Sequence, residues 1–131
     1  MYVVDSTVFA SIIVKDEFYD YAKEFLTSHR KTDLVTLDLA YIEVANVLWK
    51  HVYVFKRIPT DKYKLLRDII VKLIDNSVCK VYYSKNLIGR ALDVSLDYGV
   101  TVYDALFIAL AIETGSKLVT FDEKLSNKLE S

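Results

Sequence analysis

Asp5, Glu43, Asp104 and Asp122 are far apart along the 131-residue chain, and each stands where a carboxylate has two distinct uses. Residues 100–111 read V-T-V-Y-D-A-L-F-I-A-L-A. At 3.6 residues per helical turn, Phe107, Ile108 and Ala111 share the face of Asp104. A carboxylate at the head of an apolar face is expensive unless something pairs with it. One use is capping: Thr101-x-x-Asp104 has the form of a capping box, and an acid suits the positive end of a helix. The other use is to face a cleft that holds a cation. Asp5 and Asp122 divide the same way, between caps at strand-to-helix turns and cleft acids. Glu43 lies inside a long helix, on a mixed face with Leu39, Ala40, Asn46, Val47 and Lys50, and is either solvated or joins the other three. Four carboxylates at one rim repel and do not all stay ionised without a counter-charge. A hard divalent cation supplies it. Oxygen ligands with no neighbouring His or Cys point to Mg²⁺ or Mn²⁺ rather than Zn²⁺. One or two such ions activate a water, orient a phosphodiester and stabilise the leaving oxygen.

The elements that must position these acids follow from periodicity and caps. Residues 2–4 form a short apolar run, a buried strand that ends at Asp5-Ser6-Thr7, any of which caps the next helix. Helices are expected over 8–14 and 16–30, and a second strand over 34–36. Residues 37–57 predict one long helix, apolar around most of its circumference, that Pro59 ends. Thr60 or Asp61 caps a helix to about residue 75. Residues 78–83 are a third strand, Ser84 caps a helix ending near Gly99, and the helix of Asp104 stops at Gly115. A last strand spans 117–121, and Asp122 opens a short terminal helix. Short strands alternating with helices predict an α/β fold with a parallel sheet and helices on both faces. In such sheets the working crevice lies beyond the carboxyl ends of the strands. Asp5 and Asp122 would stand there, with Asp104 on the same side.

Bulk properties bound the partners. The length fits one domain, residues 1–131. Hydrophobic residues make up 53 % of the chain, enough for a sizeable core and for part of an oligomer face. A net charge of −1 leaves no global electrostatic footprint for nucleic acid, so any RNA contact must use a local basic strip. The lone cysteine, Cys79, rules out an internal disulfide or a Cys-rich zinc site and is expected in the core. Asp5 follows Met-Tyr-Val-Val with no basic segment, so no signal peptide is expected. Glu43, Lys50 and Glu113 interrupt the apolar runs, so no membrane span is expected and a cytoplasmic location is. His29 and His51 lie away from the acids and are assigned no role.

The joint order of strand-Asp, helix-Glu, helix-start Asp and strand-Thr-x-Asp resembles the PIN-domain ribonucleases, specifically the small VapC-like toxins of prokaryotic toxin–antitoxin pairs. The matching segments are V-V-D-S-T at 3–7, E-V-A-N-V-L at 43–48, Y-D-A-L-F-I-A-L-A at 103–111 and L-V-T-F-D at 118–122. No single motif is specific; the ordered set covers essentially the whole chain. The resemblance implies a PIN-like three-layer α/β/α fold with a short-stranded, mainly parallel sheet, and Mg²⁺- or Mn²⁺-dependent hydrolysis of RNA. It implies that Asp5, Glu43, Asp104 and Asp122 bind metal, that Thr7 and Thr120 supply supporting hydroxyls, and that Asn46 lies near the site. Asp5 and Asp104 would anchor the ion, with Glu43 and Asp122 binding directly or through water. It further implies a homodimer and a cognate antitoxin that covers the cleft. Tyr41, Leu48, Trp49, Val52, Tyr53 and Phe55 are candidates for a partner patch or for ordinary core. Lys50, Arg57 and Arg90 are candidate phosphate contacts or solvated charges. A PIN nuclease outside a toxin–antitoxin pair, and a non-catalytic RNA- or protein-binding module of the same fold, remain alternatives.

Other acid-dependent folds fit less well. A phosphotransfer receiver needs paired acids after the first strand and an Asp after the third, which here ends Tyr82-Tyr83-Ser84. A haloacid-dehalogenase phosphatase needs an Asp where Thr7 stands. A restriction-type acid-x-Lys pair is supplied only by Asp122-Glu123-Lys124, without the preceding acid.

Overall fold

The computed structural model describes residues 1–130; Ser131, the last residue of the expected single unit, lies outside them. Four strands, β1 (Tyr2–Val4), β2 (Leu34–Leu37), β3 (Lys80–Tyr82) and β4 (Lys117–Val119), form one sheet in the order β3-β2-β1-β4. Every pairing is parallel, with Val3 opposite Val35 and Leu118, and Thr36 opposite Val81. The two inner strands are covered on both faces, so Val3, Val4, Leu34, Val35 and Leu37 are all buried and no polar alternation marks them. The mainly parallel α/β expectation therefore holds.

The chain steps from β1 to β2 to β3 in one direction, then returns across the sheet to β4. Parallel crossovers are right-handed, so the reversal sends the last helices to the opposite face. Helices α1 (Ser6–Val14), α2 (Tyr19–Ser28), α3 (Leu39–Trp49) and α4 (Thr60–Ser77) occupy the first two crossovers, with α1 packed on the other three. Helices α5 (Ile88–Tyr98) and α6 (Val102–Thr114) pack on each other, and α6 lies against β1, β2 and β4. A last helix, α7 (Glu123–Glu130), follows β4. Between β1 and β4 the connections leave in opposite directions, which opens a crevice at their carboxyl ends.

Helix α6 is the central buried helix: residues 105 to 111 are all buried, as a run apolar on every side requires. Thr101 caps it, its Oγ1 accepting the Asp104 N–H at 3.3 Å. Gly115 ends it with φ 64°, a left-handed conformation that costs a residue without Cβ little.

The long helix expected over 37–57 is shorter and of two kinds. Leu37 completes β2, α3 ends at Trp49, and Lys50–Val54 forms a π-helical turn. The wider turn shows in the Phe55 N–H, which donates to the Lys50 carbonyl five residues back at 2.8 Å. Lys56 at φ 54° then stops it, without the glycine that usually announces such a stop. This divides the apolar residues of the segment. Leu48 is core and Tyr41 and Val52 pack against it, whereas Trp49, Tyr53 and Phe55 are 50 %, 64 % and 59 % exposed. Cys79, expected in the core, is exposed; it precedes the edge strand β3, where Val78 takes the buried place. Among the described residues no single helix is long and apolar enough to cross a membrane.

Candidate active site

Asp5 sits one residue past β1, and its N–H donates to the Val119 carbonyl at 3.0 Å, continuing the β1–β4 ladder. The backbone is thus held by the sheet while the side chain turns into the crevice, only 5 % exposed. Asp5 occupies the N-cap position of α1 but makes no side-chain capping bond. Its carboxylate instead accepts hydroxyls: Thr120 Oγ1 on Oδ2 at 2.5 Å, Ser6 Oγ on Oδ1 at 3.0 Å and Thr7 Oγ1 on Oδ2 at 3.4 Å. Burial pushes the Asp5 carboxyl above its ordinary range, and the Thr120 and Ser6 hydroxyls pull against that.

The two threonines also fix the β4–α7 turn. Thr7 Oγ1 accepts the Phe121 N–H at 3.0 Å, and Thr120 Oγ1 accepts the Asp122 N–H at 3.1 Å. Each hydroxyl has one proton, and both point it at Asp5 while accepting from the turn. Asp122 in turn caps α7, its Oδ1 accepting the Leu125 N–H at 3.2 Å. Asp122 thus caps α7 and also lines the cleft; at Asp104 the cap is made by Thr101 Oγ1, and the Asp104 carboxylate lines the cleft.

Glu43 is not a solvated helix residue. The packing of α1 on α3 brings it to Ser6, whose Oγ lies 2.9 Å from Glu43 Oε1 and 3.0 Å from Asp5 Oδ1. One hydroxyl proton faces two carboxylates, so one of them is left facing the other's charge unless it carries a proton itself. Glu43 is pushed up to about 7, first by burial and then by the charges of Asp5 and Asp104, against the Ser6 bond. The Asp104 carboxyl is also raised, by burial and then by Asp5 and Asp122. The charge of Asp5 thus acts on both Glu43 and Asp104 in the part-buried crevice.

All four, with Ser6, Thr7 and Asn46, line one cleft of about 510 Å³; Leu39, Ile42, Val47, Tyr103 and Lys50 complete its wall. Thr120 stands behind Asp5. Among the described residues, no three Asp, Glu, His or Cys side chains lie close enough to grip an ion together. The acids ring the cleft rather than closing on a point. This donor set fits a hard ion that keeps part of its water shell, as Mg²⁺ does, better than a fully protein-ligated ion. The lining offers carboxylate and hydroxyl oxygens and no His or Cys, so Zn²⁺ is a poor match.

Lys50 is the sole cation among the described lining residues of the cleft. Arg57 is turned away, donating to the Val14 carbonyl and to His51 Nδ1, and lines a separate pocket. Arg90 pairs with Glu113 at 3.3 Å on the surface. Asp38, just past β2, is another rim acid; it accepts the Ser84 N–H at 3.0 Å and its hydroxyl, and so ties two turns together instead of facing the cleft. Ser6 as the link between Asp5 and Glu43 is not legible in the sequence, because Asp-Ser-Thr at a strand end reads as a run of caps. Ile42 and Tyr103 also line the cleft, and their only sequence signal is that each stands immediately before a cleft acid.

The PIN domain family model matches residues 2–128. A curated relative, Ribonuclease VapC3 of Pyrobaculum aerophilum, is 34 % identical over 126 residues, 96 % of this chain and 92 % of that protein. Among solved structures, PAE2754 from Pyrobaculum aerophilum superposes with a TM-score of 0.73 at 25 % identity, covering 97 % of this chain and 84 % of that one. Mycobacterium tuberculosis VapC20, described as a Sarcin-Ricin loop cleaving toxin, superposes with a TM-score of 0.72 over 97 % of this chain and 94 % of its own; at 17 % identity it bears on the fold alone.

Proposed function

The chain belongs to the PIN-domain family, and from that premise we propose that it is a metal-dependent ribonuclease of the VapC type, the toxin of a toxin–antitoxin pair. The observation that carries this reading is Asp5: a buried carboxylate held by three hydroxyls at the strand-order reversal, in one cleft with Glu43, Asp104 and Asp122. A carboxylate kept this dry and this well oriented serves a task in which position matters, and the neighbouring acids make an anionic substrate inadmissible unless a cation accompanies it.

When bound, Mg²⁺ or Mn²⁺ supplies the counter-charge and polarises the phosphodiester for attack by water. Asp5 and Asp104 would hold the ion, and Glu43 and Asp122 would reach it through its water shell. Thr120, Thr7 and Ser6 fix the Asp5 carboxylate so that little reorganisation is needed when substrate arrives. Asn46, one turn after Glu43 on α3, lines the same cleft and would offer its amide to a phosphate oxygen or to water there. Lys50 meets a phosphate oxygen at the mouth. Hydrolysis breaks one P–O ester bond, forms a P–O bond to the water oxygen and passes a water proton to the leaving oxygen, leaving a phosphomonoester on one fragment and a hydroxyl on the other. The substrate is RNA, met in the cytoplasm. A cognate antitoxin restrains the activity by covering the cleft, and Trp49, Tyr53 and Phe55 supply an exposed apolar surface for self-association. Trp49 and Tyr53 are already stacked, with ring centroids 5.6 Å apart.

The deciding experiment measures cleavage of an oligoribonucleotide mixture with Mg²⁺, with Mn²⁺ and with chelator, for the wild type and Asp5→Asn. Divalent-dependent cleavage that disappears in a folded Asp5→Asn variant is expected. Wild-type turnover by that variant removes Asp5 from the mechanism.

A further inference from the structure

The cleft has two chemically distinct parts, and the mechanism uses only one. Beside the acids stand Ile42, 69 % exposed, and Tyr103, 61 % exposed, immediately before Glu43 and Asp104 in the chain. Each therefore adjoins a carboxylate from its own helix, Ile42 on α3 and Tyr103 in the first turn of α6. Leu39 and Val47, partly buried against the core, line the same wall. Exposed apolar side chains at the lip of an acidic cleft gain nothing from the core. Their contribution must come from something that enters the cleft.

Space agrees with this. A six-coordinate hydrated ion occupies roughly 180 Å³ if each water takes about 30 Å³, well under the 510 Å³ of the cleft. What remains must suit a flat apolar surface on one side and a negative group on the other, because Lys50 lies on the same wall and among the described residues no carboxylate pairs with it. A nucleotide has that combination. Bases inside an RNA duplex are stacked and out of reach, whereas an unpaired base presents its face to an aromatic ring.

We propose that Tyr103 and Ile42 form a base-stacking subsite that seats one unpaired nucleobase of single-stranded RNA next to the scissile phosphodiester. Resting on the ribonuclease reading, it makes Tyr103 a specificity-determining residue and predicts a preference for unpaired over paired RNA. The ring of Tyr103 takes the face of the base, Ile42 packs against it, and Lys50 takes the phosphate that follows.

The test has two arms. In the first, a fluorescent single-stranded oligoribonucleotide is titrated in Ca²⁺, which holds binding apart from turnover, against the wild type, Tyr103→Ala, Tyr103→Phe and Ile42→Ala. Loss of one stacked base weakens binding roughly 5- to 150-fold, so Tyr103→Ala should fall in that range, Tyr103→Phe should stay near wild type, and unchanged melting temperatures exclude unfolding. In the second, abasic ribonucleotides are placed one at a time along the same RNA. One abasic position should weaken the wild type and leave Tyr103→Ala indifferent. In Mg²⁺ the Tyr103→Ala defect should lie in KM. Equal affinity of Tyr103→Ala and wild type, or equal sensitivity of both to every abasic position, overturns the subsite and leaves a protein segment as the occupant of the lip. A kcat defect at unchanged affinity also overturns it and makes Tyr103 a support for Asp104. If the wild type cleaves no RNA in Mg²⁺, the ribonuclease reading falls, while the binding arm still decides the subsite.

Discussion

Replacing Glu43 with glutamine should stabilise the ion-free protein at alkaline pH and leave it unchanged in acid. The wild-type carboxyl is pushed from its ordinary 4.5 up to about 7 by burial and by Asp5 and Asp104. Below pH 4.5 the group is neutral in both folded and unfolded chains and costs nothing. Between 4.5 and 7 the unfolded chain ionises first, so stability falls as pH rises, and above 7 the full penalty is present. At about 1.36 kcal/mol per pH unit, that gap corresponds to about 3.4 kcal/mol. Glu43 is only part-buried, and solvent screening reduces this to about 1–2 kcal/mol. Glutamine keeps the shape and the acceptor for Ser6 Oγ but carries no charge. In chelator at pH 8, Glu43→Gln should therefore melt roughly 3–8 °C above the wild type, with the difference vanishing by pH 4. Saturating Mg²⁺ should reverse the order, because an ion held at about 100 times its Kd stabilises by about 2.7 kcal/mol and the amide is a poorer ligand. A variant no more stable than wild type at pH 8, or equally favoured at pH 4 and pH 8, would refute the claim that the acids repel one another in this cleft.

Three further outcomes follow from the same geometry. Thr120→Val removes the shortest donor to buried Asp5 and should cost about 1–3 kcal/mol in urea denaturation at pH 7, with Thr120→Ser restoring most of it. Phe107→Ala empties a site that is 1 % exposed in the central helix and should cost about 3–5 kcal/mol by the same assay; a loss under about 1 kcal/mol contradicts its burial. Trp49→Ala combined with Tyr53→Ala should shift a dimer toward monomer in sedimentation at unchanged melting temperature, and an unaltered sedimentation coefficient removes that surface from self-association.

The parallel α/β arrangement agrees with what alternating short strands and helices imply, and membership of the PIN family agrees with the resemblance carried by the ordered acid motifs. The departures have local causes. The helix expected to reach Arg57 breaks at Trp49 into a π turn and ends at Lys56, where no glycine or proline warns of the change. Its apolar pattern is the same whether the turn holds four residues or five, so composition there does not distinguish core from surface. Cys79 sits in an apolar run that reads as core, but the run feeds an edge strand and one side of it faces water.

The sequence by itself determined the order of the elements, the caps at Thr101 and Gly115, and the standing of Asp5 and Asp122 beyond strand ends, because periodicity and end-capping act over a few neighbouring residues. Only the tertiary structure decided that Glu43 meets Asp5 across one Ser6 hydroxyl, that Lys50 and not Arg57 or Arg90 faces the cleft, and that Asp38 serves turns while the other rim acids face one another. The charge state of a carboxylate depends on what surrounds it within a few ångströms, and here those surroundings come from residues up to 115 positions away in the chain.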